Sequence, residues 1–214
     1  MENFKEYHQQ LSSLTRENLE NLAYEQALKI QSLEKQIGCY AKKSFIDELT
    51  GLRNYRYFAT EEFPKLEKHI KSLRHTPNTR HQNDQAIFLG FADIDGLKSI
   101  NDTMGHSFGN QVIKSVAEAL INGVRPEDTV GRYTQGDEFY IIIRLGADIA
   151  IEPAELAGAL NKRCSQIASE KSGGQANFSM AFVRVGDYRS VECAIDEADA
   201  LMYDIKNQKK ALAS

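Results

Sequence analysis

The chain has 214 residues, room for one substantial domain and an appendage, and its 42% hydrophobic and 26% charged content is ordinary for a globular protein. A net charge of −4 with no basic stripe offers nothing to a polyanion, so nucleic acid is not expected as a partner. No apolar run approaches the ~18–20 residues of a membrane helix, the opening Met-Glu-Asn-Phe-Lys-Glu has no signal-peptide pattern, and the scattered Cys39, Cys164 and Cys193 suit reduced thiols better than a disulfide frame or metal cluster, so a cytoplasmic protein without membrane insertion is expected.

Residues 1–46 hold no Pro and one Gly, Gly38, and repeat apolar residues at Leu11, Leu14, Leu19, Leu22, Ile30, Leu33, Ile37 and Tyr40. The steps of three and four mark a long amphipathic helix with a heptad character that slips between Leu22 and Ile30. It reads as a coiled-coil segment pairing two copies; packing on its own domain is the alternative. The domain proper is placed at 47–214. Phe45 to Leu52 should end the first helix, with Gly51 as breaker.

A second helix is expected over Tyr57–Leu73, then a polar loop over 74–85 that carries His75 and His81 as solvated residues. Ala86–Ala92 is a nearly continuous apolar run, the pattern of a strand buried on both faces. Val112, Val116 and Leu120 mark a helix stripe. Strands at Thr129–Arg132 and Glu138–Leu145 flank a turn at Gln135-Gly136. A helix over Ala154–Ser169, a strand over Asn177–Val185 and a helix over Val191–Lys209 complete an α+β fold, a mostly antiparallel sheet flanked by helices.

Two acidic clusters stand at strand ends, Asp93-Ile94-Asp95 and Asp137-Glu138. Charge beside a core is costly. Two such clusters brought together repel unless a cation lies between them, and magnesium suits carboxylate and phosphate oxygens. Taken singly, each cluster reads as a solvent-facing loop or cap.

The stretch Asp93-Ile-Asp-Gly-Leu-Lys-Ser-Ile-Asn-Asp-Thr-Met-Gly-His-Ser-Phe-Gly-Asn110 resembles the first signature of the GGDEF family of diguanylate cyclases. Asp47-Glu-Leu-Thr-Gly-Leu-Arg-Asn54 and Gly136-Asp-Glu-Phe139 resemble two further motifs of that family, and the likeness runs from about Ile46 to Lys210. It implies a palm-like fold similar to nucleotidyl cyclases, with two protomers facing each other, each holding one GTP. The 3′-hydroxyl of one GTP attacks the α-phosphate of the other, twice, giving cyclic di-GMP and pyrophosphate. It implies two Mg2+ (or Mn2+) per active site on Asp93, Asp137 and the Ile94 carbonyl. Glu138 either joins the metal ligands or accepts the hydroxyl proton. Lys98, Lys206 and Lys210 match positions that hold the triphosphate, with backbone N–H groups of Gly96, Leu97 and Gly136. Lys210 stands where Arg is usual, which turns a bidentate contact into a point charge. Lys209 reads as a solvated face. Asn101 and Asn110 match positions that read guanine. Asn110 replaces the usual Asp and offers one acceptor beside an NH₂ donor, which opens the site to relaxed purine choice. His106 reads as a loop-ordering hydrogen-bonding residue. Arg125-Pro-Glu-Asp128 matches the inhibitory RxxD site that binds cyclic di-GMP.

The family pattern Arg-x-Gly-Gly-Asp/Glu-Glu-Phe is here Arg132-Tyr-Thr-Gln-Gly-Asp-Glu-Phe139, with Gln135 at the first glycine and one residue inserted. Either the hairpin lengthens harmlessly, or Gln135 crowds the phosphates and leaves a non-catalytic receptor for cyclic di-GMP or GTP, or a dimerising module. Retained acids and lysines favour the cyclase.

Overall fold

The structure, a computed structural model, describes residues 15–43, 45–75, 85–133, 136–146 and 149–212, with the side chains of 17, 35–43 and 75 outside the description. Two units separate along the chain, Met1–Ser44 and Phe45–Ser214.

The first unit carries helix α1, Arg16–Lys43. Thr15 Oγ1 accepts the Asn18 N–H at 3.4 Å, a side-chain cap for an otherwise unpaired donor. Leu19, Ile30 and Leu33 of the apolar seam are exposed, as are Tyr24 and Leu28. Leu11 and Leu14 and the side chains of Ile37, Cys39 and Tyr40 lie outside the description. The helix stops at Lys43, well before Gly51. Further along, the Asp47 side chain accepts Thr50 N–H at 2.9 Å and Thr50 Oγ–H at 2.6 Å and closes a separate turn. Gly51 belongs to that turn, donating to the Asp47 carbonyl at 2.8 Å with φ of 72°, a left-handed conformation that favours glycine.

The second unit runs β1 (Arg53–Asn54), α2 (Tyr55–Tyr57), a π-helical turn (Phe58–Glu62), α3 (Phe63–His75), β2 (Gln85–Ile94), α4 (Leu97–Met104) and α5 (His106–Gly123). Then come β3 (Thr129–Tyr133), β4 (Glu138–Gly146), α6 (Pro153–Ser172), β5 (Phe178–Arg184), a 3₁₀ turn (Val185–Asp187) and α7 (Val191–Leu212). The expected loop over 74–85 is shorter at both ends, since His75 closes α3 and Gln85 opens β2; His81 lies outside the described residues.

The sheet is five-stranded in the order β1-β3-β4-β2-β5. Only β1 and β3 run parallel; the other neighbours are antiparallel. Successive side chains of a strand point to opposite faces, and this sheet is covered on both, which is why β2 and β4 read as unbroken apolar runs. Phe88, Ala92 and Ile94 of β2 join Phe139, Ile141 and Ile143 of β4 beneath Val112, Val116 and Leu120 of α5. The alternate residues Ile87, Leu89, Phe91, Tyr140 and Ile142 meet Leu66 and Ile70 of α3 and Ala194, Ala198 and Met202 of α7 on the other face.

Gly131 on β3 packs so closely on the Phe58 ring and the Arg53 carbonyl that a Cβ there would overlap both. Gly131→Ala is therefore expected to destabilise by about 1–3 kcal/mol, as overpacking does, and thermal unfolding reads it directly.

Candidate active site

The two faces decide where the acidic residues go. Asp93 continues the Ile87, Leu89, Phe91 series of β2, and Glu138 precedes Tyr140 and Ile142 on β4, so both side chains project toward the α7 face. Asp93 and Glu138 are register partners across the β2–β4 ladder. Asp137 stands immediately before Glu138, and its carbonyl accepts Ile94 N–H at 3.2 Å, stitching the hairpin to the end of β2. The structure thus sets Asp93 opposite Glu138, with Asp137 next to Glu138 in the chain. Burial pushes the Asp93 carboxyl up, and Asp137 adds to the rise while Lys206 opposes it. Burial also raises the Glu138 carboxyl, and Asp93, Asp137 and Asp199 raise it further.

Helix α7 supplies the balancing charge. Lys206 Nζ donates to Asp93 Oδ1 and lies 3.5 Å from the Ile94 carbonyl oxygen. Lys210 follows four residues later on the same helix face, exposed in the last turn. Asp199, missed from the sequence, lies two turns before Lys206; that seven-residue spacing was the available signal. Lys209 corrects the expectation of a solvated face. Its Nζ donates to Asp95 Oδ2 at 3.0 Å and to the Phe178 carbonyl at 2.8 Å. The last turns of α7 bring it to the Phe178 carbonyl, which also accepts Asn161 Nδ2–H at 3.3 Å. Asp95 also accepts Ser179 Oγ–H at 2.8 Å, so this acid ties strands and helix together.

Gly96, with φ of 72°, turns the chain from β2 into α4, placing Leu97 and the exposed Lys98 in the first helical turn. Asn101 lies against Gly109, so closely that a Cβ on Gly109 would overlap its Oδ1; Asn110 follows, exposed on α5. His106 is the exposed first residue of α5, and among the described residues its imidazole makes no hydrogen bond, so the loop-ordering bond expected of it is not formed. Gly136 is half-buried with its carbonyl taken by Arg132, while Gln135 lies outside the described residues.

Asp128 accepts Arg125 N–H at 3.0 Å and Arg144 N–H at 2.9 Å, so it holds its own turn; Arg125 is exposed. Asp128 borders a cavity of about 460 Å³ with Arg53, Lys65 and Arg144. Arg144 lies six residues along β4 from Glu138, so this site is roughly 20 Å from the acidic end. A separate cavity of about 670 Å³ among α6, β5 and α7 is lined mainly by apolar residues and meets the acidic end only at Lys209.

Among the described residues no group of three or more His, Cys, Asp or Glu side chains is arranged to hold a metal ion. Of the expected ligands, Asp93 and the Ile94 carbonyl both lie against the Lys206 ammonium. Uncompensated carboxylates repel, and Lys206 draws Asp93 to itself. The donors still suit magnesium. Asp93 and the Ile94 carbonyl already face one cationic ammonium, and magnesium takes one or two carboxylates and completes its shell with phosphates and water.

The family model described as the diguanylate cyclase, GGDEF domain, matches residues 44–211. Diguanylate cyclase VdcA of Vibrio cholerae is 30% identical over 185 residues, covering 84% of this chain and 49% of that protein. Probable diguanylate cyclase DgcJ of Escherichia coli is 29% identical over 172 residues, 80% of this chain and 31% of that protein. This chain thus spans half or less of the length of these curated relatives. The coiled coil and GGDEF domain of DgcB from Caulobacter crescentus, solved with c-di-GMP, superposes with a TM-score of 0.60 at 24% identity, covering 89% of this chain and 95% of that one. Diguanylate cyclase SiaD of Pseudomonas aeruginosa, solved with its activator SiaC, gives 0.57 at 25% identity, covering 97% and 73%. No helix among the described residues is long and apolar enough to cross a membrane. With the family model spanning well over half of its residues and the fold shared with those structures, this chain belongs to the GGDEF-domain family.

Proposed function

We propose that the chain is a cytoplasmic diguanylate cyclase that condenses two GTP molecules into cyclic di-GMP across a homodimer. The observation that carries this reading is the acidic end of the sheet. Asp93 and Glu138 oppose each other beside Asp137, under an α7 lysine that bridges Asp93 and the Ile94 carbonyl.

Two divalent cations, Mg2+ or Mn2+, supply charge neutralisation for in-line attack at a phosphate when bound. Asp93, Asp137 and the Ile94 carbonyl hold them. Glu138, its carboxyl already pushed up, either shares a ligand position or takes the 3′-hydroxyl proton. Lys206 exchanges Asp93 for the triphosphate, joined by Lys98, Lys210 and the N–H groups of Gly96, Leu97 and Gly136. Asn101 and Asn110 read the guanine edge. Arg125 and Asp128 form the product-binding inhibitory site, and α1 pairs the protomers through its exposed seam. Gln135, at the first glycine of the signature, is the observation that favours the rival reading of a receptor without turnover.

Incubation with GTP and Mg2+ followed by product analysis separates the two. Cyclic di-GMP supports the cyclase; nucleotide binding without product supports the receptor and overturns the cyclase. ATP added in competition should compete measurably with GTP, because the Asn110 amide loses one of two acceptor contacts to guanine. Gly109→Ala should leave the fold intact but push the Asn101 amide off the base. A KM for GTP raised roughly tenfold, with kcat changed far less, is expected for one displaced hydrogen-bonding group.

A further inference from the structure

We propose that Arg132 is a positioning residue: its guanidinium pins the Gly136 carbonyl, sets the register of the hairpin loop, and so presents Asp137 and Glu138 to Asp93. The catalytic consequence rests on the cyclase reading above.

Arg132 is 5% exposed, on β3. A buried guanidinium is tolerated only when its donors are used. Here Nε and Nη2 converge on one acceptor, the Gly136 carbonyl, at 2.9 and 2.7 Å. Nη1 faces both oxygens of Asp47 at 3.2 and 3.3 Å. The fork therefore joins three parts of the chain: the turn that follows α1 in sequence, β3, and the loop that leads into β4.

The loop needs such a clamp. Tyr133 pairs with Glu138, which leaves the four residues 134–137 between the strands. Tight two-residue hairpins fix their own register through turn residues with positive φ. A four-residue loop with Gln135 in place of glycine has more ways to close, and a slip of one residue would turn Glu138 to the opposite face of the sheet. Two consecutive carbonyls of this loop are held from different strands, Gly136 by Arg132 and Asp137 by the Ile94 N–H at 3.2 Å. The peptide on each side of Asp137 is thereby held. Arg132 thus holds the Gly136 end of the loop whatever residue stands at position 135.

Arg132→Lys keeps a cation for Asp47 but loses the fork, and Asp47→Asn keeps the fork but loosens its anchor. Both variants of this 214-residue chain are compared with the parent by hydrogen exchange and by cyclic di-GMP formation from GTP and Mg2+. For Arg132→Lys, exchange at residues 137–139 should rise about tenfold while α5 is unchanged, the mark of a local opening. The kcat should fall roughly 10–100-fold with KM changed less than about threefold, as misplaced catalytic groups behave. Asp47→Asn should move both readouts the same way by less, and it carries the test alone if Arg132→Lys does not fold. A folded variant with unchanged exchange in the hairpin, or a loosened hairpin with unchanged kcat, overturns the proposal. Absence of product from the parent overturns the cyclase reading instead, and the exchange result then decides whether Arg132 sets the hairpin.

Discussion

Asp93→Asn should abolish cyclic di-GMP formation, by about a thousandfold or more, while the protein remains folded. Asparagine keeps the shape of the side chain but not its charge, and a hard divalent cation loses an anionic oxygen where charge develops on the phosphate. Burial already disfavours the ionised form of Asp93, pushing its carboxyl up against the pull of Lys206. Replacing it therefore removes little that holds the fold, and Tm should change by no more than a few degrees. The neighbouring acid gives the contrast. Asp95 accepts from Ser179 at 2.8 Å and from Lys209 at 3.0 Å, tying β5 and α7 to the end of β2. Asp95→Asn should cost about 1–2 kcal/mol of stability through its weakened hydrogen bonds and reduce turnover far less than Asp93→Asn. Thermal unfolding and a GTP turnover assay on both variants check the pair; equal losses of activity would place the two acids in the same role.

The largest effect on stability is expected from Arg144→Met. Glu62 is buried, 2% exposed, and its carboxylate is bonded by Arg144 Nη2 and, at 2.9 Å, by Lys65 Nζ. Removing the guanidinium leaves a buried carboxylate short of its main partner, a change worth about 3 kcal/mol, or roughly 6–12 °C in Tm for a chain of this size. Arg144 also donates to Thr129 Oγ1 and the Glu127 carbonyl, both at 3.3 Å, so the turn before β3 loosens with it. Glu62→Gln in the Arg144→Met background should recover part of the loss, because the stranded charge is gone. The pH dependence has a definite sign. Burial pushes the Glu62 carboxyl up, but Lys65 and Arg144 outweigh it and hold the group below its ordinary value near 4.5. A depressed folded value means the stabilisation is complete above about pH 4.5 and fades as pH falls through the folded value. The gap in unfolding free energy between parent and Arg144→Met should therefore narrow in acid, which denaturant titrations at neutral pH and near pH 4 would record.

Much of this architecture was legible because the sheet is covered on both faces. Ala86–Ala92 and Glu138–Leu145 read as strands because every second residue feeds a different apolar layer, and both clusters are filled in the structure. The acidic clusters stand out in the sequence because Asp93 follows one apolar run and Glu138 leads into another, where charge needs a purpose. The contacts that were not legible join residues far apart. Asp47 with Arg132 spans 85 residues and Glu62 with Arg144 spans 82, and no local period encodes either pair. Nothing in Thr-Glu-Glu-Phe distinguishes Glu62 from Glu61, yet in the π-helical turn over Phe58–Glu62 it is buried along with Phe58. Arg144 within Ile-Ile-Ile-Arg-Leu did carry a signal, for a charge in a strand buried on both sides requires a partner. Gly51 reads as a helix breaker, but α1 ends at Lys43 and Gly51 belongs to the separate turn that the Asp47 side chain closes.

Binding of Mn2+ with a non-reactive GTP analogue, located by anomalous scattering in a crystal, tests the central claim most directly. Manganese is expected about 2.0–2.3 Å from carboxylate oxygens of Asp93 and Asp137 and from the Ile94 carbonyl, with Lys206 moved from Asp93 to the triphosphate. Manganese bound elsewhere, or a triphosphate seated away from Asp93 with Lys206 still paired to it, would contradict the assignment of this sheet end as the nucleotide site.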